Sequence, residues 1–336
     1  MQYPQRRHMK IKISELEDLG KKTLAKYGYT PEETTIMLGM MMYAQLRGNN
    51  QGIVKLIGRG YPKNPACGEM IIEKETKLSA KVNGNKQAGA LVMQKAMTMA
   101  IAKAKEHGFG IVGTNNTNTS TGALGYWAKQ IAEQGLIGFV FAGSPETVSM
   151  YGSYEPIFGT NPIGIGIPSE GDPFVLDFAT AAMAYFGLIE AKTAGRKIPE
   201  GIAYDKDGNL TDDPALAMDG ALKSFGGSYK SAGLSMMVEL LTGPFVGATF
   251  VGIGEANNWG NLIIAIDPEL LTDLETLKKN AKALMDRVKK TKTLPDVKEI
   301  MLPSERGNKL MHKRVASGEI EIEENLYNEL VKVAGK

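Results

Sequence analysis

A chain of 336 residues with a formal net charge of +2, 43% apolar and 23% charged residues has the make-up of an ordinary globule of one large or two interleaved domains. The interspersed charges exclude a dedicated nucleic-acid binder, and the single cysteine, Cys67, excludes an internal disulfide framework and points to a reducing compartment. No apolar run approaches the ~20 residues that a membrane span needs, and the basic N-terminus has no apolar segment behind it, so a cytoplasmic location is expected.

Taken in chain order, Ser14 predicts a helix cap, with the helix reaching Lys26 and Gly28 ending it. Thr30-Pro31-Glu32-Glu33 combines a cap, a proline at the first helical position and acid in the first turn. The helix it opens runs to about Arg47, and its cluster Met37, Met40, Met41 and Met42 suits buried packing. Residues 73–82 predict a β-hairpin region with Asn83-Gly84 as a turn. A long helix from Gln87 to His107 is closed by Gly108, and His107 complements the helix C-terminus.

The most informative stretch follows. The apolar strand Phe109 to Gly113 opens into a polar loop from Thr114 to Gly122, and an amphipathic helix from Ala123 to Gln134 comes next. Eight consecutive side chains, Thr114 to Thr121, are hydroxyls or primary amides. Such a surface holds a polar small molecule through neutral hydrogen bonds of about 0.5–1.5 kcal/mol each, yet none of these groups exchanges a proton easily near pH 7. A solvated connection that caps the next helix is the plainer alternative.

Three short apolar runs, 138–142, 163–167 and 173–177, predict strands. Helices are expected over 180–194 and 230–241, and Asp205 to Asn209 reads as an exposed turn rather than a calcium loop. The glycines Gly159, Gly164 and Gly166 have the wrong spacing for a Rossmann fingerprint. A strand at 262–266 leads past Asp267-Pro268 into an amphipathic helix to Lys290, and the tail predicts a strand at 297–301 followed by two helices. Three scattered histidines and one cysteine offer no metal cluster.

Nine segments, in register along nearly the whole chain, resemble the malate/L-lactate dehydrogenase type-2 family (sulfolactate dehydrogenase-like). They are Ala44-Gln45-Leu46-Arg47-Gly48, Gly125-Tyr126-Trp127, residues 132–138, Gly159-Thr160-Asn161-Pro162-Ile163, residues 174–180, Ile198-Pro199-Glu200-Gly201, Lys230-Ser231-Ala232-Gly233-Leu234, Ala265-Ile266-Asp267-Pro268 and Met301-Leu302-Pro303-Ser304-Glu305. The resemblance implies an α/β homodimer whose NAD or NADP site is unlike the Rossmann crevice. It also implies a nucleotide domain over 116–290, and a substrate and dimerisation domain from 1–115 with 291–336. The implied activity is hydride transfer between nicotinamide and C2 of a small 2-oxo or 2-hydroxy acid, or reduction of a cyclic imino acid. Ser144, Asp177, Phe178, Ala179, Lys230, Pro303, Ser304 and Glu305 fall where the family contacts its nucleotide. Asp177 has a second reading as a helix cap for 180 onward. Arg47, Asn50, Asn116, Asn118 and Thr160 are the expected substrate contacts.

The chain departs from the family where the chemistry is done. The family pattern has Ser-His-Gly and then an arginine three residues on, whereas this chain reads Asn50-Gln51-Gly52-Ile53-Val54-Lys55. Gln51 stands for the proton-donating histidine, Lys55 for the carboxylate-clamping arginine, and Ser120 for a second family histidine. A positioned acid is worth roughly 10²–10⁴-fold in carbonyl reduction, so the loss matters. Three readings follow: the substrate is an iminium that needs no acid; Lys55 or Tyr229 takes over; or the chain binds a nucleotide or metabolite without turnover.

Overall fold

The computed structural model describes residues 8–49, 51–57, 60–193, 195–255 and 257–335. Its centre is a seven-stranded mixed sheet in the order Ile71–Glu75, Ser79–Asn83, Phe109–Thr117, Trp259–Ile266, Ile137–Ala142, Ile163–Ile167 and Phe174–Phe178. Only the pairing of Ser79–Asn83 with Phe109–Thr117 is parallel, and the helix Gly89–His107 makes that crossover. Gly108 closes the helix at φ +82, a backbone state that costs glycine nothing. The other sheet neighbours are antiparallel, which sets this architecture apart from a parallel doubly wound sheet.

One sheet face carries the main core. The helices Pro31–Leu46, Gly89–His107 and Leu124–Glu133 bury Met37, Met40, Met41, Met93 and Trp127 against Val112, Val140 and Ile263. The other face packs Val238 of the helix Tyr229–Thr242 on Phe141, Ile163 and Leu262. A third apolar cluster lies in residues 148–222, around a small four-stranded sheet of Ala203–Tyr204, Ala221–Leu222, Val148–Ser149 and Pro156–Phe158. The strand His8–Lys12 pairs with Glu319–Glu323, which joins the two ends of the chain. The boundary expected at 115/116 falls inside the strand Phe109–Thr117, whose neighbours come from both proposed parts.

Several local expectations are corrected. The first helix, Ile13–Lys26, starts straight from the preceding strand with Lys12 at its cap, so Ser14 lies in the first turn. By contrast, Thr30 and Glu33 form the full reciprocal cap. The hairpin reverses at Thr76, whose Oγ1 accepts from the Leu78 and Ser79 N–H groups, not at Asn83-Gly84. The expected helix from 180 begins at Tyr185, because Thr180 is fully buried with its Oγ1 3.1 Å from the Asn161 carbonyl. Residues 297–301 form no strand: the Val297 N–H turns back to the Leu294 carbonyl at 3.0 Å, and the segment pairs with none of the described strands. The largest correction concerns the polar run, since Thr114 to Thr117 continue the strand instead of entering a loop.

The first seven residues, on which the absence of a leader was read, lie outside the described ones. Among the described residues, no helix is long and apolar enough to cross a membrane.

Candidate active site

The polar run divides where its strand ends. Asn261, buried on the neighbouring strand, donates from Nδ2 to Thr114 Oγ1 at 2.9 Å and Thr117 Oγ1 at 3.4 Å. Asn115 donates to the Val246 carbonyl at 3.1 Å, and Asn116 donates to Asn83 Oδ1 at 3.0 Å. These side chains are therefore committed inside the protein. From Asn118 the chain turns through Thr119, at φ +74, and the run Asn118 to Gly122 forms one wall of a cavity of about 760 Å³. That volume is typical of small-molecule sites.

Other elements complete the cavity. Gln51 enters from the segment after the second helix, Ser144 from the end of the strand Ile137–Ala142, and Thr160 from the turn before Ile163–Ile167. Asp177, Phe178 and Ala179 come from the last sheet strand, and Tyr185 and Phe186 from the start of a helix. Trp259 supplies a further aromatic wall. The structure thus gathers Gln51, Asn118, Ser120, Ser144, Thr160 and residues 177–179 around one space. Sequence reasoning missed Phe186 and Trp259, and nothing local to either residue marks it as a cavity wall.

Lys55 lies directly behind this wall. It is only 3% exposed, its Nζ is 4.2 Å from the centre of the Phe186 ring, and its Nζ donates to Ser120 Oγ at 3.1 Å. Burial disfavours its ammonium form and pulls its pKa down to about 7. Ser120 Oγ also accepts from the Gly122 N–H at 3.2 Å. A hydroxyl accepts twice and donates once, so with both acceptor positions used Ser120 has its hydrogen to donate, and the Tyr61 oxygen is one acceptor within its reach. Tyr61 donates to the Ser120 carbonyl at 3.4 Å.

Ser144 and Thr160 form a second polar wall: the Thr160 N–H donates to Ser144 Oγ at 2.9 Å, and the two hydroxyls are 3.2 Å apart. Asp177 Oδ2 accepts from the Gly125 N–H at 2.8 Å, at the N-terminus of the helix Leu124–Glu133. It caps that helix, not the segment from 180. Burial raises its pKa to about 6, against the lowering effects of Gly125 and Arg47.

Arg47 stacks on Tyr43 and is held by the Asn308 side chain and the Ser304 carbonyl. With Asp177 and Ser304 it lines a smaller adjoining pocket of about 470 Å³. Several other expected site residues are not brought to the main cavity. Asn116 is held by Asn83, and its own N–H donates to Asn258 Oδ1. Tyr229 is 65% exposed with its ring 6.5 Å from Tyr151, because it opens a helix on the outer face of the sheet. Its neighbour Lys230 is exposed on the same first turn. Pro303 is exposed, and Glu305 accepts from the Leu302 N–H and pairs with Lys289 and Lys309, which hold its carboxyl far below the usual range. Asn50 lies outside the described residues. The three histidines sit on an end strand, a helix C-terminus and the helix Glu305–Ser317, and none lines the cavity.

The family model described as malate/L-lactate dehydrogenase matches residues 11–331. The malate/(S)-sulfolactate dehydrogenase of Methanothermus fervidus is 36% identical over 340 residues, covering 97% of both chains. The solved sulfolactate dehydrogenase of Methanocaldococcus jannaschii aligns with a TM-score of 0.82 at 32% identity, over 97% of this chain and 96% of that one. Delta(1)-pyrroline-2-carboxylate reductase 1 of Burkholderia ambifaria is 35% identical over 198 residues, covering 56% of this chain and 58% of its own.

Proposed function

The chain belongs to the malate/L-lactate dehydrogenase family, and from that premise we propose that it interconverts a small 2-oxo acid and its 2-hydroxy acid with NAD or NADP, using Lys55 and Ser120 to move the proton. The observation that carries this reading is the Lys55–Ser120 hydrogen bond at the cavity wall.

The residues present fit a nicotinamide. Phe178, Phe186 and Trp259 line a cavity of about 760 Å³, and Ser144, Thr160 and Asp177 on its wall would offer hydroxyls and a carboxylate to the amide and ribose. When bound, that cofactor supplies or takes the hydride at C2 of the substrate. The remaining work falls to the protein. In reduction, Ser120 gives its hydroxyl proton to the C2 oxygen and takes one from the Lys55 ammonium. Lys55 is left neutral and regains a proton from water, which its pKa of about 7 allows near neutrality. In oxidation the same protons run backwards. Gln51 and Asn118 donate hydrogen bonds to the acid without exchanging protons. Arg47 and Asp177 shape the neighbouring pocket.

A second reading is supported by Gln51 and Ser120 standing where the family has histidines, and by the likeness to a pyrroline-2-carboxylate reductase. A cyclic imino acid enters protonated on nitrogen, so hydride addition at C2 needs no proton from the wall. Oxidation of NADH and NADPH, followed with a panel of 2-oxo acids and cyclic imino acids, separates the two. Turnover of a 2-oxo acid supports the first reading, turnover of imino acids alone supports the second, and nucleotide binding without any turnover contradicts both.

The helix Tyr229–Thr242 presents Tyr229, Met236, Met237 and Leu240 to solvent as one stripe, with Phe245 beyond it. A second copy of the chain covers this face in the proposed homodimer. Light scattering on the eluted protein should give twice the 36.3 kDa of one chain.

A further inference from the structure

Glu239 lies on the inner face of the helix Tyr229–Thr242, 9% exposed, and makes no ion pair among the described residues. An unpaired buried carboxylate is costly, so its hydrogen bonds show what it secures. Its Oε2 accepts from Asn161 Nδ2 at 2.8 Å, and the N–H groups of Gly159 and Val251 also face the carboxylate. Asn161 is wholly buried at φ +38, a strained state for a residue with a side chain, and its Nδ2 also donates to the Ser235 carbonyl. Its Oδ1 has no hydrogen-bond partner among the described residues.

The turn that Glu239 grips carries Thr160 on its outer side. The Thr160 N–H and Oγ1 both meet Ser144 Oγ, and a Cβ at Gly159 would collide with Ser144. Behind the turn, Ser235 donates to Thr180 Oγ1 at 2.8 Å, and the Thr180 N–H donates to the Thr160 carbonyl at 2.9 Å. A continuous set of hydrogen bonds therefore runs from the buried carboxylate to the two hydroxyls on the cavity wall.

We propose that Glu239 is a positioning residue: it fixes the 159–161 turn so that Ser144 and Thr160 present their hydroxyls to the nucleotide, and this rests on the reading of that wall as cofactor-binding. Glu239 touches no ligand itself. Its effect is on cofactor affinity, transmitted through Asn161.

Hydrogen exchange on the unliganded protein tests the structural half. In Glu239→Ala the Thr160 amide should exchange at least roughly tenfold faster, while amides of the helix Gly89–His107 keep their protection. Glu239→Gln retains an acceptor for Asn161 and should stay within about threefold of the parent. If the alanine variant does not fold, Glu239→Asp keeps the charge but shortens the reach and should show the same loosening. NADH and NADPH fluorescence titrations test the other half. The alanine variant should raise the nucleotide Kd and KM roughly tenfold, with the KM of the acid and kcat within about twofold. A merely destabilised protein would lose active molecules and leave both KM values unchanged. Parental exchange at Thr160 in Glu239→Ala would overturn the proposal. A parent chain that binds neither nucleotide would instead overturn the cofactor reading while the exchange result still decided the role of Glu239.

Discussion

Two halves of one polar run, Thr114 to Thr117 and Asn118 to Thr121, have nearly the same composition and opposite fates. The first half is strand: its threonines bond to Asn261 in the interior, and Asn115 and Asn116 are held by Val246 and Asn83. The second half leaves the sheet and walls a cavity with Lys55 behind it. Asparagine and threonine are thus interior struts while the strand lasts and cavity lining once it ends, where Thr119 still accepts from the Gly89 N–H and Ser120 from Lys55. Place in the sheet decides the difference, and composition does not.

The comparison breaks most sharply at Lys55 and Ser120. Lys55→Met should lower kcat for a 2-oxo acid by roughly 10²–10⁴-fold, the usual worth of a positioned acid, in steady-state assays. The same variant should be more stable, because it removes a buried ammonium whose pKa falls from 10.5 to about 7 on folding. The sign follows from linkage: between about pH 7 and 10.5 the unfolded chain binds the extra proton, so the parent gains stability as pH rises through this range. The advantage of Lys55→Met should therefore be largest at about pH 6 and fall steadily towards pH 10, as read by thermal melts. Ser120→Ala, which breaks the link between Lys55 and the cavity, should lower kcat by about 10²-fold without a comparable loss of stability.

The buried half should respond the other way round. Asn261→Leu strands two interior threonine hydroxyls and should lower unfolding free energy by about 2–3 kcal/mol in denaturant titrations, with kcat per folded molecule little changed. Thr117→Val removes one weaker partner and should cost about 1 kcal/mol or less. If Asn261→Leu abolished turnover in a stable protein, the division between strut and wall would fail.

The same contrast explains what the sequence could reveal. The capping box at Thr30 and the glycine stop at Gly108 are local devices, and each works from residues a few positions apart. The strand at Thr114 to Thr117 looks like a loop in the sequence because the side chain that holds its threonines, Asn261, lies 147 and 144 residues away. Lys55 and Ser120 were each singled out at positions where a family residue is missing, but their hydrogen bond spans 65 residues and only the fold makes it. Tyr229 drew notice as the neighbour of Lys230, and a helix start on the outer sheet face carries it away from the cavity. Glu239 had a readable signal that went unused. It is a charged residue on the same helix face as Ser235, Val238 and Thr242, all buried.

The proton route through Ser120 to Lys55 is tested most directly by the pH dependence of kcat in both directions. Reduction of a 2-oxo acid by the parent should fall, and oxidation of the 2-hydroxy acid should rise, through one ionisation near pH 7 that disappears in Lys55→Met. A profile that keeps this ionisation in Lys55→Met, or one that is flat in the parent between pH 6 and 9, would contradict the account.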